Sequence, residues 1–167
     1  MFKSKLNIKK LDVLSLILII IIFTIDRFSK SYVIDIIQSR GSEIFVYNFL
    51  NLTLNWNTGI AFGLLSVNAN LLYHSISALI LLIIIYLIYL MVISEKIAKI
   101  SISLIIGGAL GNLYDRINYY AVPDFIDLHY KNFHWFTFNF ADIFITFGVI
   151  ILVLNEIFIG KNDFKNS

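Results

Sequence analysis

Residues 71–93 carry no charged side chain and are almost entirely aliphatic or aromatic. A run of that kind crosses a bilayer as a helix, which takes about 17–25 mostly apolar residues. Lipid offers no water to backbone N–H and C=O groups, so only helices and closed barrels span it. Residues 11–34, 97–113 and 141–159 repeat the pattern. The first is uninterrupted only over residues 13–25, which puts Asp26 and Lys30 in its outer turns. The third is at the short limit for a span. The expectation is an all-α membrane protein: one domain over residues 1–167 with four transmembrane helices. Composition agrees, with 59% hydrophobic and 14% charged residues against roughly 25% charged in soluble domains.

Several function classes drop out early. A formal net charge of +2 without a basic patch argues against a nucleic-acid partner, and the absence of cysteine removes disulfides, thiolate nucleophiles and cysteine metal sites. Lys3, Lys5, Lys9 and Lys10 precede an apolar run, as in a secretory signal. Yet Asp26, Arg27 and Lys30 follow it, with no small-residue cleavage site, so it reads as a retained first helix. Eight lysines lie at the two ends and in the turn near Glu95, against five basic residues on the other side. Cytoplasmic loops carry the excess of basic residues, so both termini are expected in the cytoplasm, with Asn57, Arg116, Asp124 and Asp142 on the exported side.

Between the spans the pattern changes. From Ile44 to Trp56 apolar residues favour the even positions, while Tyr47, Asn51, Thr53 and Asn55 occupy odd ones. Period-two alternation indicates strands, hence a small extracytoplasmic β-sheet lying on the bilayer. Gly59 and Gly63 follow, as turn residues. Residues 119–140 are rich in aromatics, which concentrate at membrane interfaces, and an interfacial loop or helix is expected there. Pro123 favours extended backbone around Asp124. In the third span Gly107 and Gly111 form G-x-x-x-G, which lets helices approach closely. Gly108, Gly111, Asn112 and Asp115 share one face by their spacing, so a groove of small residues leading to polar groups is expected.

An ionisable group at the edge of lipid is costly and marks a functional site by default. Asp115, Asp124 and Asp142 all lie there. Two neighbouring carboxylates resist double ionisation, leaving one as an acid and the other as a base. Such a pair can activate water against an amide without metal or covalent intermediate. Asp124 and Asp142 are the pair chosen, one on extended backbone and one at a helix mouth beside Asn139. Asp115 reads better as a hydrogen-bonded clamp beside Arg116, Asp26 with Lys30 as an ion pair four residues apart, and Asp127 as exposed. Ser29 and Lys30 are adjacent and cannot face each other on a helix. Asp127, His129 and His134 make a poor metal set without H-E-x-x-H. No metal or cofactor is expected.

Taken together, D-R-F-S-K (from Asp26), N-T-G-I-A-F-G (from Asn57), G-G-A-L-G-N-L-Y-D-R (from Gly107), V-P-D-F-I-D (from Val122) and F-N-F-A-D-I-F-I (from Phe138) resemble the lipoprotein signal peptidase family of bacteria. The resemblance covers most of the chain. It implies a four-helix aspartyl peptidase of the inner membrane that removes the signal peptide from prolipoproteins, just before a cysteine already carrying diacylglyceryl. It also implies that Asp124 and Asp142 are the catalytic pair and that Asn57 and Arg116 contact the substrate backbone. Asn112, Asp115 and Asn139 would support the site, and Asp26 and Lys30 would form a structural pair. The signal helix would lie along the groove lined by Gly108 and Gly111, with Gly108 and Asn112 among the substrate-binding residues. The partners implied are a lipid-modified prolipoprotein, membrane lipid and the cyclic peptide globomycin, with a monomer as the expected state. Two positions depart from the family pattern: Arg27, where Gln is usual, and Ala121, where Gly is common. A proton-coupled carrier would need acids in mid-span rather than at one end. A scaffold using the G-x-x-x-G face gives no reason for polar blocks at three outer positions.

Overall fold

The computed structural model describes residues 2–59, 69–131 and 133–165. The N-T-G-I-A-F-G block lies outside them from residue 60 onward, and with it the turn expected at Gly63. The chain runs α1 (Phe2–Arg40), β1 (Ile44–Tyr47), β2 (Leu50–Asn57), α2 (Ala69–Ile93), α3 (Lys96–Tyr119), β3 (Val122–Tyr130), β4 (Phe133–Phe138) and α4 (Phe140–Lys165). Among the described residues three helices are long and apolar enough to cross a membrane, over Tyr73–Ile93, Lys96–Tyr119 and Phe140–Phe158. Helix α1 continues well past its apolar run at both ends.

Helix α3 is the centre of the bundle and packs against α1, α2 and α4. The core joins Ile102, Ile106 and Leu113 of α3 to Ile19 of α1 and Ile84 of α2. Elsewhere α2 and α4 turn apolar side chains outward, among them Leu79, Leu82, Ile85, Val149, Val153 and Ile157. Such a surface suits lipid rather than water.

Glycine makes the close packing possible. A Cβ on Gly107 would lie 2.8 Å from Ile22, one on Gly108 would lie 2.5 Å from the Ala141 carbonyl oxygen, and one on Gly111 would run into the Asp26 carboxylate. The small-residue face is therefore filled by α1 and α4. This corrects the expected groove: Gly108 is buried against α4 and offers no open channel to a signal helix.

Helix α3 also runs further than its apolar pattern indicates. It ends at Tyr120, whose φ of 55° and ψ of 19° are left-handed. Its last turns are held from outside: Asp115 is bound by α1, and the Tyr73 hydroxyl of α2 donates to the Arg116 carbonyl at 2.8 Å.

The four strands form one antiparallel sheet in the order β1-β2-β3-β4. The β2–β3 pair is not a hairpin, since α2 and α3 intervene. Its register sets Asn55 opposite Asp124 and Asn57 opposite Val122, beyond an irregularity between Leu52 and Asn55. The interfacial loop or helix expected over residues 119–140 is instead the β3–β4 hairpin, turning at Lys131 with φ 54°. Its aromatic residues suit strands, and β4 leaves Phe133, Trp135 and Phe136 exposed.

Candidate active site

The site begins with the cap of α4. Asn139 precedes the helix; its side-chain Oδ1 accepts the Asp142 N–H at 3.2 Å, and Asp142 Oδ2 accepts the Asn139 N–H at 3.1 Å. This reciprocal pair is a capping box, and it fixes Asp142 in the first turn. A third partner comes from α1, where Asp26 Oδ1 accepts the Ala141 N–H at 3.1 Å. Three of the polar residues singled out in the sequence thus organise one helix end.

Asn139 also reaches β3. Its Nδ2 donates to Asp124 Oδ1 at 2.6 Å, and Asn57 Nδ2 donates to Asp124 Oδ2 at 2.9 Å. Asn57 is itself held, because its Oδ1 accepts the Gly59 N–H at 2.8 Å, with Gly59 at φ 73°. One asparagine therefore touches both carboxylates. Burial pushes the Asp124 carboxyl above the usual carboxylate range, and the charge of Asp142 adds to that, while the amides of Asn57 and Asn139 oppose it.

Beneath this pair lies a buried ionic cluster. Lys30 Nζ donates to Asp26 Oδ2 at 2.9 Å, Asp115 Oδ2 at 2.7 Å and Asn112 Oδ1 at 2.8 Å. Arg27 forks onto Asp115 at 2.5 and 2.8 Å and reaches Asp26 at 2.7 Å. Asn112 passes the network upward, its Nδ2 donating to Asp142 Oδ1 at 2.8 Å. Buried polar groups need such partners, since each lost one costs the full desolvation of the group left behind.

The sequence expectations meet this geometry unevenly. Asp124, Asp142, Asn57, Asn139, Asn112, Asp115, Asp26 and Lys30 form one hydrogen-bonded assembly. Asn112 was expected to bind substrate as well as support the site; its amide is engaged by Lys30 and Asp142, which fits the supporting role. Asp26 and Lys30 form the expected ion pair four residues apart, and both side chains are buried. Asp127, expected to be exposed, is buried on β3 and bonded to His134 at 2.7 Å, while His129 stacks on His134 with ring centroids 5.2 Å apart. Among the described residues no group of three or more His, Cys, Asp or Glu is arranged to hold a metal ion. Arg116 stands beside Gly59, and its Nε and Nη1 are buried without a hydrogen-bond partner. In the sequence Arg27 stood out only as a departure from the family pattern, with no role in the site. The available signal was charge arithmetic: two acids, Asp26 and Asp115, face a single lysine unless Arg27 joins them.

Comparison with known proteins agrees on one family. A family model for signal peptidase (SPase) II matches residues 18–158. The lipoprotein signal peptidase of Pelagibacter ubique (strain HTCC1062) is 49% identical over 166 residues, 98% of this chain and 99% of that protein. Its counterpart in Francisella tularensis subsp. novicida (strain U112) is 40% identical over 151 residues, 88% of this chain and 93% of that protein. A bacterial membrane enzyme solved by the in meso method at 2.3 Å resolution superposes with a TM-score of 0.72 at 29% identity, covering 89% of this chain and 90% of that one. With the family match spanning most of its length and a relative almost half identical from end to end, this chain belongs to the signal peptidase II family of membrane peptidases.

Proposed function

We propose that this chain is an aspartyl endopeptidase that removes the signal peptide from diacylglyceryl-modified prolipoproteins, cutting before the lipidated cysteine. The observation that carries the reading is Asn139, which bonds Asp124 with its side chain and Asp142 with its backbone and side chain. Two carboxylates tied to one residue can share one proton. One takes a proton from water as the water oxygen bonds to the carbonyl carbon. The other gives its proton to the amide nitrogen as the C–N bond breaks. One water is consumed and no metal takes part.

Arg116 suits the extended substrate backbone, because its guanidinium carries unpartnered N–H groups beside β2. Asn57 keeps one N–H and one oxygen lone pair beyond its bonds to Asp124 and Gly59, and these can meet substrate while both bonds stay in place. The single domain would lie in the bacterial inner membrane, with α1 as a fourth span. Both termini would be cytoplasmic, with the sheet and the two aspartates on the outer side. The signal helix would rest on lipid-facing surfaces of the bundle, since Gly108 is already covered. The protein would act as a monomer and bind globomycin.

The test is incubation with a diacylglyceryl-modified precursor, read by mass. The wild type should release the signal peptide, and globomycin should stop it. Asp124→Asn and Asp142→Asn should each lower the rate about a thousandfold while the protein stays folded, within the usual range for general acid–base groups. Full turnover by either variant would overturn the pair.

A further inference from the structure

Resting on the peptidase reading above, we propose that Arg27 is a positioning residue for the two aspartates: it takes up Asp115, so the charge of Lys30 acts on Asp142 through Asn112, Asp142 is held as the ionised base, and Asp124 carries the shared proton as the acid.

The cluster below the site contains two buried carboxylates, Asp26 and Asp115, each with no exposed surface. Lys30 alone, bonded to both and to Asn112, would leave that cluster one positive charge short of neutral. Arg27 makes up the difference, with two bonds to Asp115 and one to Asp26. The cluster is then neutral. The Asn112 amide is oriented with its oxygen on the Lys30 ammonium and its N–H on Asp142 Oδ1. That orientation presents the positive end of the amide dipole to Asp142.

The two aspartates then differ in kind. Asp142 sits in the first turn of α4, where the helix dipole favours an anion, and its cation lies one amide away. Asp124 sits on a strand, and both its donors, Asn57 and Asn139, are neutral amides. The charged groups around the pair are Asp26, Arg27 and Lys30 from α1, Asp115 and Arg116 from α3, Asp124 from β3 and Asp142 from α4. Arg116 lies over the Tyr73 ring of α2, 5.9 Å from its centroid. In the reaction Asp142 takes the proton of the attacking water and Asp124 gives its own to the departing nitrogen. Exchange with solvent then returns the starting state.

The experiment is the pH dependence of kcat for cleavage of the lipidated precursor by wild type, Arg27→Gln, Arg27→Lys and the double variant Arg27→Gln/Asp115→Asn. Losing the Arg27 charge leaves the cluster negative, so Asp142 becomes harder to ionise. The acid limb of Arg27→Gln should therefore move to higher pH by about one unit, the scale of a charge change nearby but not in contact, with KM unchanged. Arg27→Lys should keep the wild-type limb. The double variant, neutral again, should return to it. An unmoved acid limb in Arg27→Gln, or a double variant displaced as far as the single one, would overturn the proposal and leave Arg27 a structural fork only. Should Arg27→Gln not fold, both other variants must share the wild-type limb, and a shift in either overturns the proposal. A wild type that cuts nothing would instead sink the peptidase reading itself.

Discussion

Among the described residues two lysines are buried, one toward each end of the bundle. Lys30 is 1% exposed and Lys99 2%, yet their settings differ. Lys99 of α3 meets Asp12 of α1 and the Val92 carbonyl, and the Asp12 side chain is 45% exposed. Lys30 meets two carboxylates with no exposure at all, and through Asn112 it reaches Asp142. The first lysine is a staple between helices whose acid keeps access to solvent. The second belongs to a dry network that ends in the candidate active site. Helix packing and chemistry are therefore joined at the Lys30 end of the bundle and separate at the Lys99 end.

Removing each lysine is the harshest way to break that contrast. Lys30→Met leaves Asp26 and Asp115 with Arg27 alone, and deleting one partner of a buried ion pair costs about 3–5 kcal/mol. Loss of the cooperative thermal transition in detergent, together with loss of cleavage, is expected. Equal damage from Lys99→Met would erase the distinction between the two ends.

Two glycines on the α3–α4 seam sharpen the same contrast at intermediate cost. A Cβ on Gly108 meets the Ala141 carbonyl oxygen at 2.5 Å, and one on Gly148 meets the Ser101 carbonyl oxygen at 2.7 Å. Gly108→Ala and Gly148→Ala should each destabilise by about 1–3 kcal/mol, the cost of overpacking. Only Gly108→Ala displaces the residue preceding Asp142, so only it should also lower kcat when both are assayed well below their melting temperatures. Lys99→Met comes next. With Asp12 still reachable by solvent, it should cost about 1 kcal/mol, near the range of exposed pairs, and leave cleavage intact.

How much of this was legible in the sequence varied with the kind of interaction. Local patterns carried well: the apolar run of residues 71–93 became Ala69–Ile93, and the alternation from Ile44 became β1 and β2. Asn139 and Asp142 stand three apart, the spacing of a capping box. Contacts between distant segments did not carry. Asn57 and Asp124 are 67 residues apart and meet only because α2 and α3 return the chain to the sheet in one register. The glycine face was visible, but not that α1 and α4 would fill it. Helix α3 outruns the apolar stretch of residues 97–113 because the partners that hold its end, Arg27 and Tyr73, lie on other helices. Asp127 looked exposed because its partner His134 comes from the facing strand of a hairpin the aromatic pattern did not announce.

The smallest expected effect separates the two ends by sign. The ion pairs favour folding, whereas Asp124 is held where its charged form is disfavoured. Its folded-state carboxyl titrates above the ordinary value of 3.8 because of burial, reinforced by Asp142. The folded protein therefore binds this proton more tightly than the unfolded chain does. That contribution to stability is fully present below the ordinary carboxylate range and is lost as pH rises through the folded value. Wild-type melting temperature should thus fall by a small amount across that window, from about pH 4 upward. Asp124→Asn cannot ionise and should flatten this part of the curve, whatever its absolute stability, because its amide must also face the Asn57 and Asn139 donors. A slope unchanged by the substitution would mean that the candidate site stores no cost at Asp124, and the two ends of the bundle would then differ only in how many partners their lysines hold.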